Sequence, residues 1–416
     1  MKESLATFRS IFTAAVIVAA LGYFVDIYDL LLFSIVRVQS LGELGVSATQ
    51  SLDTGLELLS VQMVGLLVGG LAWGVLGDKR GRLSVLFGSI LLYSVANLAN
   101  AFVHSVDAYF FWRFVAGVGL AGELGAAVTL VTESMPPQTR GYGTAVVAGV
   151  GLFGAVAAAL VAKNFHWRTA YIIGGVLGFA LLALRLRMFE SGLYESVREA
   201  GVKRGDVTML VSPPVRLFKY VRCILIGVPI WFVVGILVTS APEFAAAFHA
   251  PGVAAPLKEI TAGGAVLYTY IGLAVGDLTS GALSQALRTR RKVVAGYLLF
   301  TAALVAVYLT LDRPSTTTFY ALCGAMGFGI GYWAVFVTVA AEQFGTNLRA
   351  TVATSVPNFV RGSVPILTAS FKYLRNDLHL GMVKSAALVG GVCLIVALVA
   401  LVGLQETHGK DLDYTE

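Results

Sequence analysis

Roughly a dozen apolar windows, each about the 20 residues that a bilayer-spanning helix needs, run through this chain of 416 residues. They fall near 10–36, 54–77, 83–102, 106–131, 142–163 and 168–187, then near 222–246, 260–287, 293–311, 315–340, 350–373 and 383–404. A soluble protein of this size could bury a large core, but it would need far more charge on its surface. Composition agrees: hydrophobic types make up 57% and charged types 13%, against ~45–50% and ~25% in an average soluble domain. Disorder, a fibrous repeat and a nucleic-acid-binding domain are excluded. The net charge of +6 fits a membrane protein whose basic residues gather on cytoplasmic loops. Cys223, Cys323 and Cys393 lie in apolar stretches and form no disulfide framework and no CxxC.

The first window begins with Lys2 and Arg9 and contains Ala19–Ala20, as a signal peptide would. Its apolar run continues past Asp26 to about Ile35, too long for a cleaved leader. It reads as an uncleaved first helix. The polar interval 188–221, with Pro213–Pro214, divides the windows six and six. The domain reading is therefore a first half at 1–187, a central cytoplasmic linker at 188–221, a second half at 222–404 and a cytoplasmic tail at 405–416. With the N-terminus inside, 20 of the 30 Lys and Arg residues fall on inner segments and 8 on outer ones. That bias places both termini in the cytoplasm.

Two motifs recur between the halves. Glu133 and Arg140 follow the fourth span at a spacing of seven, and Glu342 and Arg349 follow the tenth at the same spacing. After the second span, Gly74, Asp78, Lys79, Gly81 and Arg82 form a Gly-x-x-x-Asp-Lys-x-Gly-Arg turn. After the eighth, Gly281, Gln285, Arg288, Arg290, Arg291 and Lys292 form a degraded copy, with Gln285 in place of the acid. Matching loop chemistry in two six-helix halves indicates duplication, a common plan in transporters.

These motifs resemble those of the major facilitator superfamily. Gly74–Arg82 is similar to its signature loop between helices 2 and 3. Glu133 to Arg140 resembles the helix 4–5 loop of its sugar-porter and metabolite:proton symporter branches. Arg113, Gly117 and Gly119 match its Arg-x-x-x-Gly-x-Gly pattern in helix 4. The resemblance implies an all-α membrane protein of 12 transmembrane helices in two six-helix halves. It also implies that Gly74, Asp78, Gly81, Arg82, Glu133, Arg140, Glu342 and Arg349 serve as gating loops that latch the cytoplasmic side. The alternative for these loops is a static basic patch that only sets topology. Ala155 follows Gly154 where the family's antiporters carry Gly-Pro, which counts against a drug exporter.

Charge inside the spans carries the functional reading. Twelve spans of about 23 residues would hold roughly 36 charges at the chain's 13%. Away from helix ends there are six: Asp26, Asp29, Arg113, Glu123, Asp277 and Arg361. Such residues are costly in a bilayer and mark function. Asp29 and Arg113 both lie ~10 Å below an outer helix end at 1.5 Å per residue, so either Asp29 or Asp26 is positioned to pair with Arg113. Asp26 and Asp29 are three apart and share a helix face. Two carboxylates that close do not readily both ionise in a low dielectric, which is the property of a proton carrier. Alternatively, Arg113 neutralises one acid permanently. Asp26, Asp29 and Glu123 are the proton-coupling candidates. Arg361 and Asp277 lie at similar depth, so Arg361 either pairs with Asp277 or receives an anionic substrate through its fork of donors. Asn358 and Gln62 are further polar contacts, and Tyr23, Tyr28, Tyr268, Tyr270, Tyr332 and Trp333 are aromatic candidates for a cavity lining.

His104, His166, His249, His379 and His408 show no ligand spacing and read as solvated loop residues. No Walker loop, catalytic triad or nucleotide fingerprint occurs, so no enzyme activity, metal or cofactor is expected. The leading expectation is a multi-pass, monomeric symporter of the inner (plasma) membrane. It would carry a small polar, anionic metabolite with protons by rocking its halves about a central site. The alternatives are an exporter, antiporter or uncoupled facilitator of the same fold, and a transporter-like sensor, against which the short linker and tail argue.

Overall fold

The computed structural model describes residues 13–80, 82–123, 140–190, 210, 212–249 and 259–409. The described chain is helical almost throughout. The first helices are α1 (Ala14–Glu43), α2 (Ala48–Arg80), α3 (Arg82–Ala101), α4 (Val106–Leu120), α5 (Arg140–Asn164) and α6 (Trp167–Glu190). After the linker come α7 (Pro214–Leu225), α8 (Val228–Phe232), a π-helical turn at Val233–Val238 and α9 (Ala241–Ala247). They are followed by α10 (Ala262–Ala286), α11 (Arg290–Leu309), α12 (Thr316–Gly329), α13 (Trp333–Glu342), α14 (Thr346–Arg361), α15 (Val364–Asn376) and α16 (Gly381–Val402).

Loop chemistry sets the helix starts. Ser105, Thr261, Thr289 and Ser315 each accept a hydrogen bond from the backbone N–H three residues on, capping α4, α10, α11 and α12. Among the described residues, nine helical stretches are long and apolar enough to cross a membrane. They coincide with expected spans 1, 2, 5–10 and 12. Span 3 is the 20-residue helix α3, and spans 4 and 11 are described as shorter helices. The outer surface is apolar, as lipid requires: α16 turns Val392, Ile395, Val399 and Val402 away from the protein.

Three spans of the second half are interrupted. The seventh span breaks at Ile226–Gly227 and again at Thr239–Ser240, the tenth at Ile330–Tyr332, and the eleventh at Gly362–Ser363. Broken backbone at membrane depth must find partners within the protein. It does so here: Tyr332 Oη donates to Ile226 O at 2.9 Å, and Ser363 Oγ donates to Val360 O at 2.7 Å.

The chain divides into two compact units. One comprises Met1–Phe33 with Val64–Lys203, the other Ser34–Met63 with Arg204–Glu416. In the first, α3 packs closely on α4 and α6; in the second, α10 packs closely on α12. Residues 34–63, the far end of α1 and the start of α2, therefore pack with the second unit although they precede the linker.

Candidate functional site

The first unit contains a buried polar cluster built on α1. Asp26 and Asp29 are both fully buried. Gly174 of α6 makes room for this stretch: a Cβ there would stand 2.5 Å from Asp29 Oδ1 and 3.0 Å from the Tyr28 ring. The charge of the Arg113 guanidinium and the hydrogen-bonding Asn97 amide both act on Asp29. Arg113 is also framed by aromatic groups. Its guanidinium lies 5.0 Å from the Phe33 ring centroid and 6.0 Å from that of Tyr171. Tyr171 Oη is 2.7 Å from Tyr109 Oη and 3.5 Å from Arg113 Nη1. Tyr28 Oη donates to Ala170 O at 2.9 Å.

Glu123 has a partner that the sequence did not reveal. Arg185 of α6, one of the 20 cations counted on inner segments, is fully buried. Its Nη1 and Nη2 meet Glu123 Oε2 and Oε1 at 2.9 and 2.5 Å. Gly22 of α1 leaves the space for this pair, since a Cβ at that position would overlap both groups. Tyr93 of α3 stands within electrostatic reach of Asp26, Asp29, Glu123 and Arg185.

The second unit holds Arg361 as the last residue of α14, with its guanidinium 6.0 Å from the Trp333 ring centroid. The expected Asp277–Arg361 pair is not formed. Asp277 Oδ1 instead accepts from the backbone N–H of Ala334 at 2.7 Å. The reason is the break in the tenth span, which frees the N–H groups at the start of α13 and offers the acid a nearer donor. Asn358 is buried and donates to Thr354 O at 3.4 Å. Gln62, Tyr23, Tyr270 and Tyr332 are buried, whereas Tyr268 is 44% exposed and stacks on Tyr320.

Arg37, one of the 8 cations counted on outer segments, is fully buried in the second unit. It donates to Ser51 O at 3.2 Å, Thr239 O at 3.4 Å and Glu243 Oε1 at 2.5 Å. Thr239 Oγ1 also donates to Ser34 Oγ at 3.2 Å. Nearby, Asp53 pairs with Arg375 at 2.5 Å, and Glu57 pairs with Lys372. Placing Arg185 and Arg37 among the buried charges removes one cation from each side of the loop count and preserves its bias.

The motifs repeated in the second half meet one another. Arg290, from the loop after the eighth span, donates to Glu342 Oε1 at 2.7 Å, and Thr407 Oγ1 donates to Glu342 Oε2 at 2.7 Å. Glu406 accepts from Thr289 Oγ1 and from the N–H groups of Arg290 and Arg291 at 3.0 and 3.2 Å. Burial works against its charge, but these hydrogen bonds and one from His408 N outweigh burial and lower its pKa from 4.5 to about 2. Arg349 is half-buried. Gly81 and Glu133 lie outside the described residues, as do the side chains of Asp78, Arg82 and Arg140 and the surroundings of Gly74. Among the described residues, no cluster of His, Cys, Asp and Glu has the makings of a metal site.

The family model described as Major Facilitator Superfamily matches residues 5–369. The chain belongs to the major facilitator superfamily. Within that superfamily, the 3-(3-hydroxy-phenyl)propionate transporter of Escherichia coli is 28% identical over 358 residues, covering 82% of this chain and 84% of that protein. The niacin transporter NiaP of Acinetobacter baylyi is 25% identical over 394 residues, covering 86% of each chain. The gentisate transporter of Corynebacterium glutamicum is 24% identical over 416 residues, covering 95% of this chain and 88% of that one. Among solved structures, the inward open conformation of the xylose transporter XylE from E. coli superposes with a TM-score of 0.69 at 16% identity, covering 95% of this chain and 97% of that one. The superfamily fold and a transporter's role for this multi-pass membrane chain are thus established, and its relatives are transporters, not enzymes.

Proposed function

We propose that the chain is a proton-coupled symporter that takes up a small aromatic carboxylate across the inner membrane by alternating access. The observation that carries this reading is the buried pair Asp26 and Asp29 on one helix face, with Arg113 acting on Asp29. Two buried carboxylates on one helix face do not readily both ionise in a low dielectric, so a proton taken up there relieves their repulsion and lowers the cost of reorienting the site. Arg113 is then the switch partner, more loosely tied when Asp29 is protonated.

The substrate class rests on two supports. The relatives named above carry niacin, gentisate and 3-(3-hydroxy-phenyl)propionate. Arg361 lies beside the face of Trp333, so a bound aromatic acid would meet a guanidinium for its carboxylate and an indole for its ring.

Uptake by proteoliposomes under an imposed inward proton gradient tests the proposal. Accumulation of one or more of these three acids should follow the gradient and collapse with a protonophore. Gradient-independent uptake, unchanged by Asp26→Asn and Asp29→Asn, would remove the proton from the mechanism. Unaltered substrate affinity in Arg361→Ala would remove Arg361 from the binding site.

A further inference from the structure

The break at Ile330–Tyr332 is buried in the second unit, and α13 starts from it with Trp333 half-buried and Ala334 exposed. Tyr332 precedes its first turn and provides no side-chain cap. Free N–H groups at a helix start within a bilayer are costly to leave unmet. One of them, Ala334 N–H, is met by Asp277 from α10 at 2.7 Å. The acid reaches it because α10 and the break touch backbone to backbone. A Cβ on Gly331 would stand 2.6 Å from Gly276 Cα and 2.7 Å from Asp277 N. Tyr297 reinforces the joint by donating to Gly276 O at 3.0 Å. A carboxylate at a helix N-terminus is also favoured by the helix dipole.

This cap controls more than one amide. Trp333 is the first residue of α13, one position before the capped N–H, and its ring lies beside Arg361 at the end of α14. Tyr332 donates to Ile226 O at the end of α7. Gly227, at that second break, sits where a Cβ would press on Phe336 of α13 and Val360 of α14, each at 2.8 Å. Three interrupted helices therefore meet around one turn of backbone, and Asp277 is the side chain that fixes the turn.

We propose that Asp277 is a positioning residue for substrate binding: by capping α13 it holds Trp333 against Arg361 and so assembles the carboxylate-plus-ring subsite. The inference rests on the substrate reading above and assigns Asp277 a hydrogen-bond acceptor's task in place of the ion pair expected from sequence.

Three variants in full-length protein test it. Asp277→Asn keeps an acceptor of nearly the same shape, Asp277→Leu removes it, and Arg361→Ala removes the subsite itself. The readouts are amide hydrogen exchange over residues 330–338 in detergent or nanodiscs, and KM and kcat for 3-(3-hydroxy-phenyl)propionate, niacin and gentisate. Asp277→Leu should speed exchange at Ala334 and raise KM about tenfold or more, the worth of one lost hydrogen bond to a charged acceptor, with a smaller change in kcat. Asp277→Asn should restore slow exchange and bring KM back near wild type. Unchanged exchange in Asp277→Leu would overturn the proposal, as would exchange that speeds with no rise in KM. An Asn variant as impaired as Leu would overturn it in favour of a role for the charge. A wild-type KM in Arg361→Ala, or no transport of any of the three acids, defeats the substrate reading and with it the subsite; the exchange data then show separately whether the cap exists.

Discussion

Arg185 grips both carboxylate oxygens of Glu123, at 2.9 and 2.5 Å, and solvent reaches neither side chain. Removing one member strands the other as a buried, uncompensated charge. Either Glu123→Ala or Arg185→Ala should therefore lower stability by about 3–5 kcal/mol, while joint replacement by Leu and Met should recover most of the loss. Thermal unfolding in detergent reads this. An unaltered melting temperature in both single variants would show that the pair contributes nothing. If Glu123→Gln kept its stability yet lost proton-driven accumulation, Glu123 would join the coupling acids.

For Asp26 and Asp29 the expected loss is of coupling. Asp29→Asn should reduce gradient-driven accumulation at least about tenfold, the scale of one charged contact of ~1.4 kcal/mol. Substrate exchange between equal pools should persist. Equal loss of both activities would point to a collapsed site.

The ion pairs of the second unit should differ sharply in value. Arg37 is fully buried and bonded to two carbonyls and to Glu243, so Arg37→Ala should cost about 3–5 kcal/mol. Lys372 and Glu57 are 39% and 49% exposed, and Lys372→Ala should cost no more than about 1 kcal/mol. Parallel melting curves of the two variants decide the ranking; a reversed order would refute it.

Glu406 predicts a pH dependence. Its folded-state pKa is depressed from 4.5 to about 2. The stabilisation it provides is therefore fully present above about pH 4.5 and is lost as pH falls towards 2. The difference in melting temperature between wild type and Glu406→Gln should be constant from pH 5 to 7 (roughly, on that linkage) and shrink on acidification. A difference that grows below pH 4.5 would contradict the hydrogen bonds that lower this pKa.

Fold class was legible because a bilayer asks for length and apolarity, and both are written residue by residue in the chain. The six interior charges were legible for the same reason: each interrupts an apolar run. Arg37 escaped because the first window stops one residue short of it, and Arg185, inside the sixth window, because a cation so near a helix end reads as one facing the loop. A hint existed in Gly22, whose missing side chain is what admits the Arg185 pair. The helix breaks escaped because Gly329–Ile330–Gly331 is as apolar as an intact helix. Hydropathy cannot tell a backbone bonded to itself from one bonded to Asp277 or Tyr332. The Asp277–Arg361 expectation failed on that point: it took no account of the break in the tenth span, which offers Asp277 a backbone donor.

Helix α1 runs unbroken from Ala14 to Glu43, carrying Asp26 and Asp29 within the first unit and Arg37 within the second. Ser34 and Arg37 are three residues apart on one face of that helix, so the setting that brings Ser34 to Thr239 also brings Arg37 to Ser51, Thr239 and Glu243. One alanine inserted between Ser34 and Ile35 would turn Arg37 by about 100° relative to Ser34 and pull it away from those three partners. Arg37 is thus set in place by the pitch of a helix as much as by its own bonds.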